Sequence, residues 1–335
     1  MIQMTNQSNS SNIFQLTAIW AFLEVTLGGI LHALRVPLTG FLVGGSAVII
    51  LAVMSLNTTN KVKTILRATF YVILVKAGAS PHSPPPAYLA VAFQGIAAAL
   101  FFTLVKNFRI AVLLFSIVSM IESASQKFII MTILYGESIW KAFDSFSKSV
   151  LDSFGFQVES NVAYNYIIGY VLLYSFWGLI LGIWLGGVRQ RLQLNKKRWT
   201  DEVSSVDESE SVRMPRRFKS IFFLFYLMMM VGILGVFIVI EEDTNNLIYI
   251  LIRSVAAIIL VFGVVNPLFK WWLKKQTQNE GYAADVAKIT SEFISLRTEY
   301  TQALELTKKA KWRPDRYLKG VELLIAKRVH MDDER

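Results

Sequence analysis

Residues 110–135 read IAVLLFSIVSMIESASQKFIIMTILY, and this stretch decides the fold class. The run is longer than the ~20 apolar residues that cross a bilayer's hydrocarbon core. At its centre stand Ser119, Glu122, Ser123, Ser125, Gln126 and Lys127. Ionisable groups at that depth are costly unless they face protein or water, so they mark a functional site by default. Glu122 and Gln126 lie four residues apart, on one helical face, with Ser119 one turn before them.

The rest of the chain agrees with that class. Of its 335 residues 54% are hydrophobic and 17% charged, where a soluble domain carries about 25% charged residues. Further apolar runs make it an all-α, polytopic membrane protein with the lipid bilayer as its first partner. The absence of cysteine excludes disulfides, thiolate metal sites and Cys nucleophiles. A net charge of +10 would suggest nucleic acid in a soluble protein. In a membrane protein it reflects cytoplasmic loops enriched in Lys and Arg, so no nucleic-acid partner is expected. His32, His82 and His330 are dispersed and offer no metal cluster. No G-x-x-x-x-G-K-[ST], G-x-S-x-G or H-E-x-x-H sequence occurs, so no cofactor, ATP site or catalysis is expected.

Eight spans are read, at residues 13–34, 38–56, 62–75, 87–105, 110–135, 162–188, 221–240 and 247–269. Residues 1–12 form a polar, uncharged tail without the features of a secretory signal, so the first span is expected to be an uncleaved anchor. Residues 13–188 form a six-helix bundle and 189–219 a charged linker containing DEVSSVDESES. Residues 220–275 form a two-helix hairpin. Residues 276–335 form amphipathic helices, read as a cytoplasmic hairpin, a docking element for a partner or a membrane-surface segment. The basic residues between the sixth and seventh spans, from Arg189 to Lys219, place that linker inside by the positive-inside rule. Counting outward from it, Lys61, Lys63, Lys106, Arg109, Lys270, Lys274 and Lys275 fall inside and Glu241, Glu242 and Asp243 outside. The expectation is a multi-pass plasma (inner) membrane protein with both termini cytoplasmic.

On that topology polar residues gather in the outer half of the first six spans. Arg35 and Lys76 sit at outer ends, Gln94, Gln126 and Lys127 in the outer halves of their spans, and Asn161 and Asn165 in the first turns of the sixth. Glu24 and Glu122 lie deeper. Convergent polar groups in an apolar setting are what a small-molecule pocket needs. The expected binding set is therefore Arg35, Lys76, Gln94, Glu122, Gln126, Lys127, Asn161 and Asn165. Its cations favour an anionic or zwitterionic ligand. Residues 137–160 carry an amphipathic pattern suited to a helical lid.

Residues 18–53, AIWAFLEVTLGGILHALRVPLTGFLVGGSAVIILAV, run through a Pro-Leu-x-Gly turn into a Gly-interrupted span. With YLAVAFQGIAAALFFTLV at 88–105 and FSIVSMIESASQKFIIMTILYG at 115–136, they make residues 13–188 similar to the substrate-binding (S) components of energy-coupling-factor vitamin transporters. The resemblance implies a six-helix bundle that holds a vitamin or metabolite near the outer face. It also implies a transmembrane coupling subunit and ATP-binding subunits as partners. In that family the first helix presents an Ala-x-x-x-Ala-type face to the coupling subunit. Here Ala18 and Ala21 depart from that spacing, while Gly29 and Ala33 keep it nearer the outer end. The resemblance leaves 221–335 unexplained. The expected function is a solute-binding or uptake subunit; the rival is a non-catalytic assembly subunit docking through its cytoplasmic helices. A lipid-directed enzyme using Glu24 or Glu122 is a third option, without a paired acid motif.

Overall fold

Asparagines start several helices in the computed structural model, because their short amides satisfy backbone N–H groups that have no intrahelical partner. Asn60 accepts from the Lys63 N–H at 3.2 Å, Asn107 from Arg109 at 3.0 Å, Asn161 from Tyr164 at 2.8 Å and Asn279 from Gly281 at 3.1 Å. The structure describes residues 2–28, 39–80, 83, 85–157, 160–202, 252, 255–256, 259–307 and 313–329. Among them every regular element is helical. In order they are α1 (Ile2–Leu23, continued by a wider π-type turn, Glu24–Gly28), α2 (Thr39–Leu56), α3 (Lys61–Ala79), α4 (Pro85–Leu104) and α5 (Phe108–Tyr135). Next come α6 (Ser138–Ser153), α7 (Val162–Leu185) and α8 (Val188–Glu202). After a π-type segment (Ile259–Val265) follow α9 (Asn266–Thr277), α10 (Glu280–Ser291), α11 (Phe293–Leu306) and α12 (Arg313–Arg328).

α2 is the hub. It touches α1, α3, α4, α5, α7 and α12, and every residue from Ala47 to Met54 is fully buried. A helix apolar all round needs such a coat. α5 and α7 pack backbone to backbone at Gly178 and Gly182, an unclaimed G-x-x-x-G in the sequence. A Cβ at Gly182 would lie 2.7 Å from the Leu113 Cα, and one at Gly178 2.8 Å from the Ser116 carbonyl oxygen.

Among the described residues three helices are long and apolar enough to cross a membrane: α4, α5 and α7. They expose Ile96, Leu104, Ile129, Ile133, Leu172 and Ile183, an outer surface suited to lipid. α2 is apolar but shorter. The expected span at 221–240 lies outside the described residues, as do 247–251, 253–254 and 257–258 of the span at 247–269. Among the described residues the structure is thus all-helical with three helices of spanning character.

Both ends of the described chain pack against the bundle. The polar residues ahead of 13 continue α1, and Asn12, buried, donates to the Asn57 side chain at 3.1 Å. Ile289, Leu296, Tyr300, Leu318, Val321 and Leu324 belong to the same buried core as α1 and α2. α11 pairs with α12 and both lie against α1. The Phe22 ring meets Phe293 at 5.6 Å and Tyr300 at 6.4 Å, both edge-on. α12 runs beside α2 and α8, where Glu322 accepts from Arg191 at 2.8 Å. Burial pushes the Glu322 carboxyl up from its ordinary pKa, and Arg191 opposes that. Arg328 binds Glu292 and Glu299, each at 2.6 Å, and Gln15 at 2.9 Å, tying α12 to α11 and α1. Burial works against its charge, but the two carboxylates more than offset this and its pKa rises.

At α9 the Phe269 ring lies 5.4 Å from Tyr88 of α4, and Leu273 packs with Leu74 of α3. The apolar face formed by Phe269 and Leu273 sets the place of α9 along α3.

Candidate functional site

The ends of α1 and α3 and the starts of α4 and α5's second half meet in one buried polar region. Lys76 near the end of α3 donates to Glu24 at 2.7 Å, with both side chains 5% exposed. It also donates to the Ala87 carbonyl at 3.3 Å. An ion pair so deep survives only because each partner is saturated by the other.

The second part lies between α4, α5 and α2. Gln126 Nε2 donates to the Pro86 carbonyl at 2.7 Å and fixes the antiparallel register of α5 on α4. Two turns further along α4, Gln94 falls opposite Ser119, with Glu122 about one turn nearer Gln126 on α5. Gly44 of α2 closes the group: its Cβ position is 3.4 Å from Gln94 Nε2 and 3.1 Å from Met120 Cε. Gln94 is 3% and Ser119 0% exposed. Gln94 Oε1, Ser119 Oγ and Glu122 Oε2 are all shielded, and none has a hydrogen-bond partner among the described residues. Buried polar atoms are nearly always paired, so this cluster calls for a partner. Gln94 Oε1 and Glu122 Oε2 are acceptors, and Ser119 can donate or accept.

The expected binding set is only partly assembled. Gln94 and Glu122 lie on the packed helices α4 and α5, each with a shielded oxygen. Lys76 and Gln126 are beside them but engaged with Glu24 and Pro86. Lys127 is exposed on the outer face of α5. Asn161 is the exposed cap of α7, and Asn165 donates to Ser160 at 3.2 Å at the surface. Arg35 lies outside the described residues. The capping rule was the signal that would have separated Asn161 from the pocket. The segment read as a lid is helical, α6, and packs on α5 and α7.

A cavity of about 390 Å³ that sequence reasoning missed opens at the other end of the bundle, between α1, α3 and α10. The polar run Asn57–Lys63 was its only local signal. Asp285, which also lines it, comes from a helix more than 200 residues away in sequence, beyond any local pattern.

Fold and site together define an all-helical protein of membrane-spanning character with a buried polar cluster. No protein-family model, curated protein or solved structure matches the chain.

Proposed function

We propose that the chain is a membrane solute-binding subunit of an uptake system whose ligand is held by Gln94, Ser119 and Glu122. The observation that carries this is the group of three shielded hydrogen-bonding atoms without partners on two helices of spanning character. Such groups in a membrane helix are retained where they bind something. Because Lys76 is neutralised by Glu24 and Lys127 faces outward, the cations no longer decide the ligand. Two free acceptors favour a small molecule rich in N–H or O–H donors, the zwitterionic class rather than the anionic one. The likeness to transporter S components supports the same reading. In that family the first helix meets a coupling subunit; here α11 and α12 of the same chain lie on α1, and they serve as a built-in counterpart.

The assembly reading keeps one specific support, the use of Lys76 and Gln126 as bonds between helices. One experiment separates the two. The protein is purified in lipid nanodiscs and bound small molecules are identified by native mass spectrometry. Gln94→Ala and Glu122→Gln should each lose the bound molecule while yield and melting temperature stay near wild type. Loss of yield without any bound molecule in the wild type supports the assembly reading.

A further inference from the structure

The cavity between α1, α3 and α10 lies at the far end of the bundle from Gln94 and is independent of the reading above. Its volume, about 390 Å³, is that of a small-ligand site. Lys63 and Arg67 line it from one face of α3, four residues apart. Thr58, Thr59 and Thr64 add three hydroxyls, and Phe14 with Ile289 an apolar wall.

The charges are unequal. Asp285 is the carboxylate in the lining. It accepts a hydrogen bond from the Tyr71 hydroxyl and stands 3.8 Å from Arg67 Nη2. That separation exceeds the ~2.7–2.9 Å of a charge-assisted bond. Arg67 also donates to Tyr71 at 3.2 Å, yet its side chain is 65% exposed. It is loosely held and can turn into the cavity. Lys63 is exposed and, among the described residues, has no carboxylate within ion-pair distance. Thr58 and Thr64 hydroxyls lie 2.8 Å apart, so only one proton is used between them and the other is left for a ligand.

From these residues we propose that the cavity binds a phosphate group, carried by a small soluble metabolite or by a lipid headgroup. A guanidinium fork, an ammonium point charge and hydroxyl donors together match the several oxygens of a phosphoryl group. A carboxylate, with two oxygens, would leave part of that donor set unused. Binding draws Arg67 from Asp285 to the phosphate, and the Tyr71–Asp285 bond stays as the back wall. The apolar wall accepts the non-phosphate part of the ligand.

The test uses the full chain. Calorimetric titration of detergent-solubilised protein with inorganic phosphate and glycerol 3-phosphate reports the soluble source. Nanodiscs of phosphatidylcholine with and without phosphatidic acid report the lipid source. Binding by either arm is expected, weakened about tenfold or more by Lys63→Gln or Arg67→Gln, the loss of one charge-assisted contact each. Lys106→Gln, an exposed charge at the same end, should leave it unchanged. Binding to phosphatidic acid alone assigns the headgroup, and competition by glycerol 3-phosphate assigns the metabolite. Should Arg67→Gln misfold by circular dichroism, Lys63→Gln and Thr59→Val, both at exposed positions, decide the matter. The proposal is overturned if neither phosphate source binds above the phosphatidylcholine background, or if the folded variants bind as well as wild type.

Discussion

Lys76→Met should destabilise the fold far more than its position at a helix end suggests. Nζ lies 2.7 Å from Glu24 Oε2 and both side chains are 5% exposed. Over that distance, at an effective dielectric near 20, the attraction is about 6 kcal/mol. Burying each ion costs several kcal/mol, so the intact pair contributes little net stability. Removing the lysine cancels the attraction but leaves the buried carboxylate, which costs about 3–5 kcal/mol. Glu24→Gln should be milder, about 1.5–3 kcal/mol, since the ammonium keeps the Ala87 carbonyl and the new amide oxygen. The double variant Glu24→Leu, Lys76→Met should return to within about 1–2 kcal/mol of wild type. Denaturant titration of detergent-solubilised protein, followed by circular dichroism, gives the cycle and its coupling energy. If the two single losses simply add in the double variant, the pair is not the buried, self-saturating unit described here. If Lys76→Met removes a bound solute without any loss of stability, Lys76 belongs to the ligand site and not to the scaffold.

Other consequences follow from the same geometry. Gly182→Val must push α7 off α5, where a Cβ already falls 2.7 Å from backbone, and should cost about 1–3 kcal/mol by the same titration, whereas Gly169→Ala, with nothing within 4 Å, should stabilise by about 0.5–1 kcal/mol. Asp144 accepts from the Val162 and Ala163 N–H groups at 2.6 and 3.3 Å, and Lys148, 2.9 Å away, holds its carboxyl below the ordinary range. Its folded pKa being the lower one, its contribution is present above the ordinary carboxylate pKa of about 4 and is lost as pH falls through the folded value; hydrogen exchange in α6 should accelerate there, and in Asp144→Asn it should be fast at every pH. The cysteine-free chain permits labelling: Ile294→Cys on α11, 82% exposed, should react with a membrane-impermeant maleimide, and Leu172→Cys on α7, 62% exposed, should react only with a lipid-soluble one. Equal reactivity of the two would remove the distinction between the outer faces of α7 and α11.

Local signals carried most of the helices. The apolar runs and their Asn and Gly punctuation place α3, α4, α5 and α7 within a few residues, and Gly136 at φ 73 ends α5 where the sequence puts the turn. Of the site, Gln94 and Glu122 were legible because a polar side chain inside an apolar run stands out. Lys127 was equally conspicuous, yet it faces outward, because periodicity gives spacing and only the packing of α5 on α4 fixes which face turns inward. The Glu24–Lys76 partnership spans 52 residues and the Tyr71–Asp285 bond 214, so neither leaves a local trace.

Hydropathy could not distinguish a helix coated by lipid from one coated by protein, since both are apolar all round. α1's second half and α2, both read as membrane spans, are sheathed by other helices of the chain. Part of the sheath is amphipathic: α11 buries Leu296, Tyr300 and Ala303 and turns Ser295, Thr298 and Thr301 outward. α4, α5 and α7 do the reverse, with apolar side chains on both faces. The bundle is therefore two-sided, one flank suited to hydrocarbon and the other to water or a polar partner. Gln94, Ser119 and Glu122 lie on α4 and α5, on the inner side of the first flank. The cavity of Lys63 and Arg67 adjoins α10, on the second flank. The two proposals thus divide between the flanks: a zwitterionic solute among the apolar helices, and a phosphate group in the cavity beside α10.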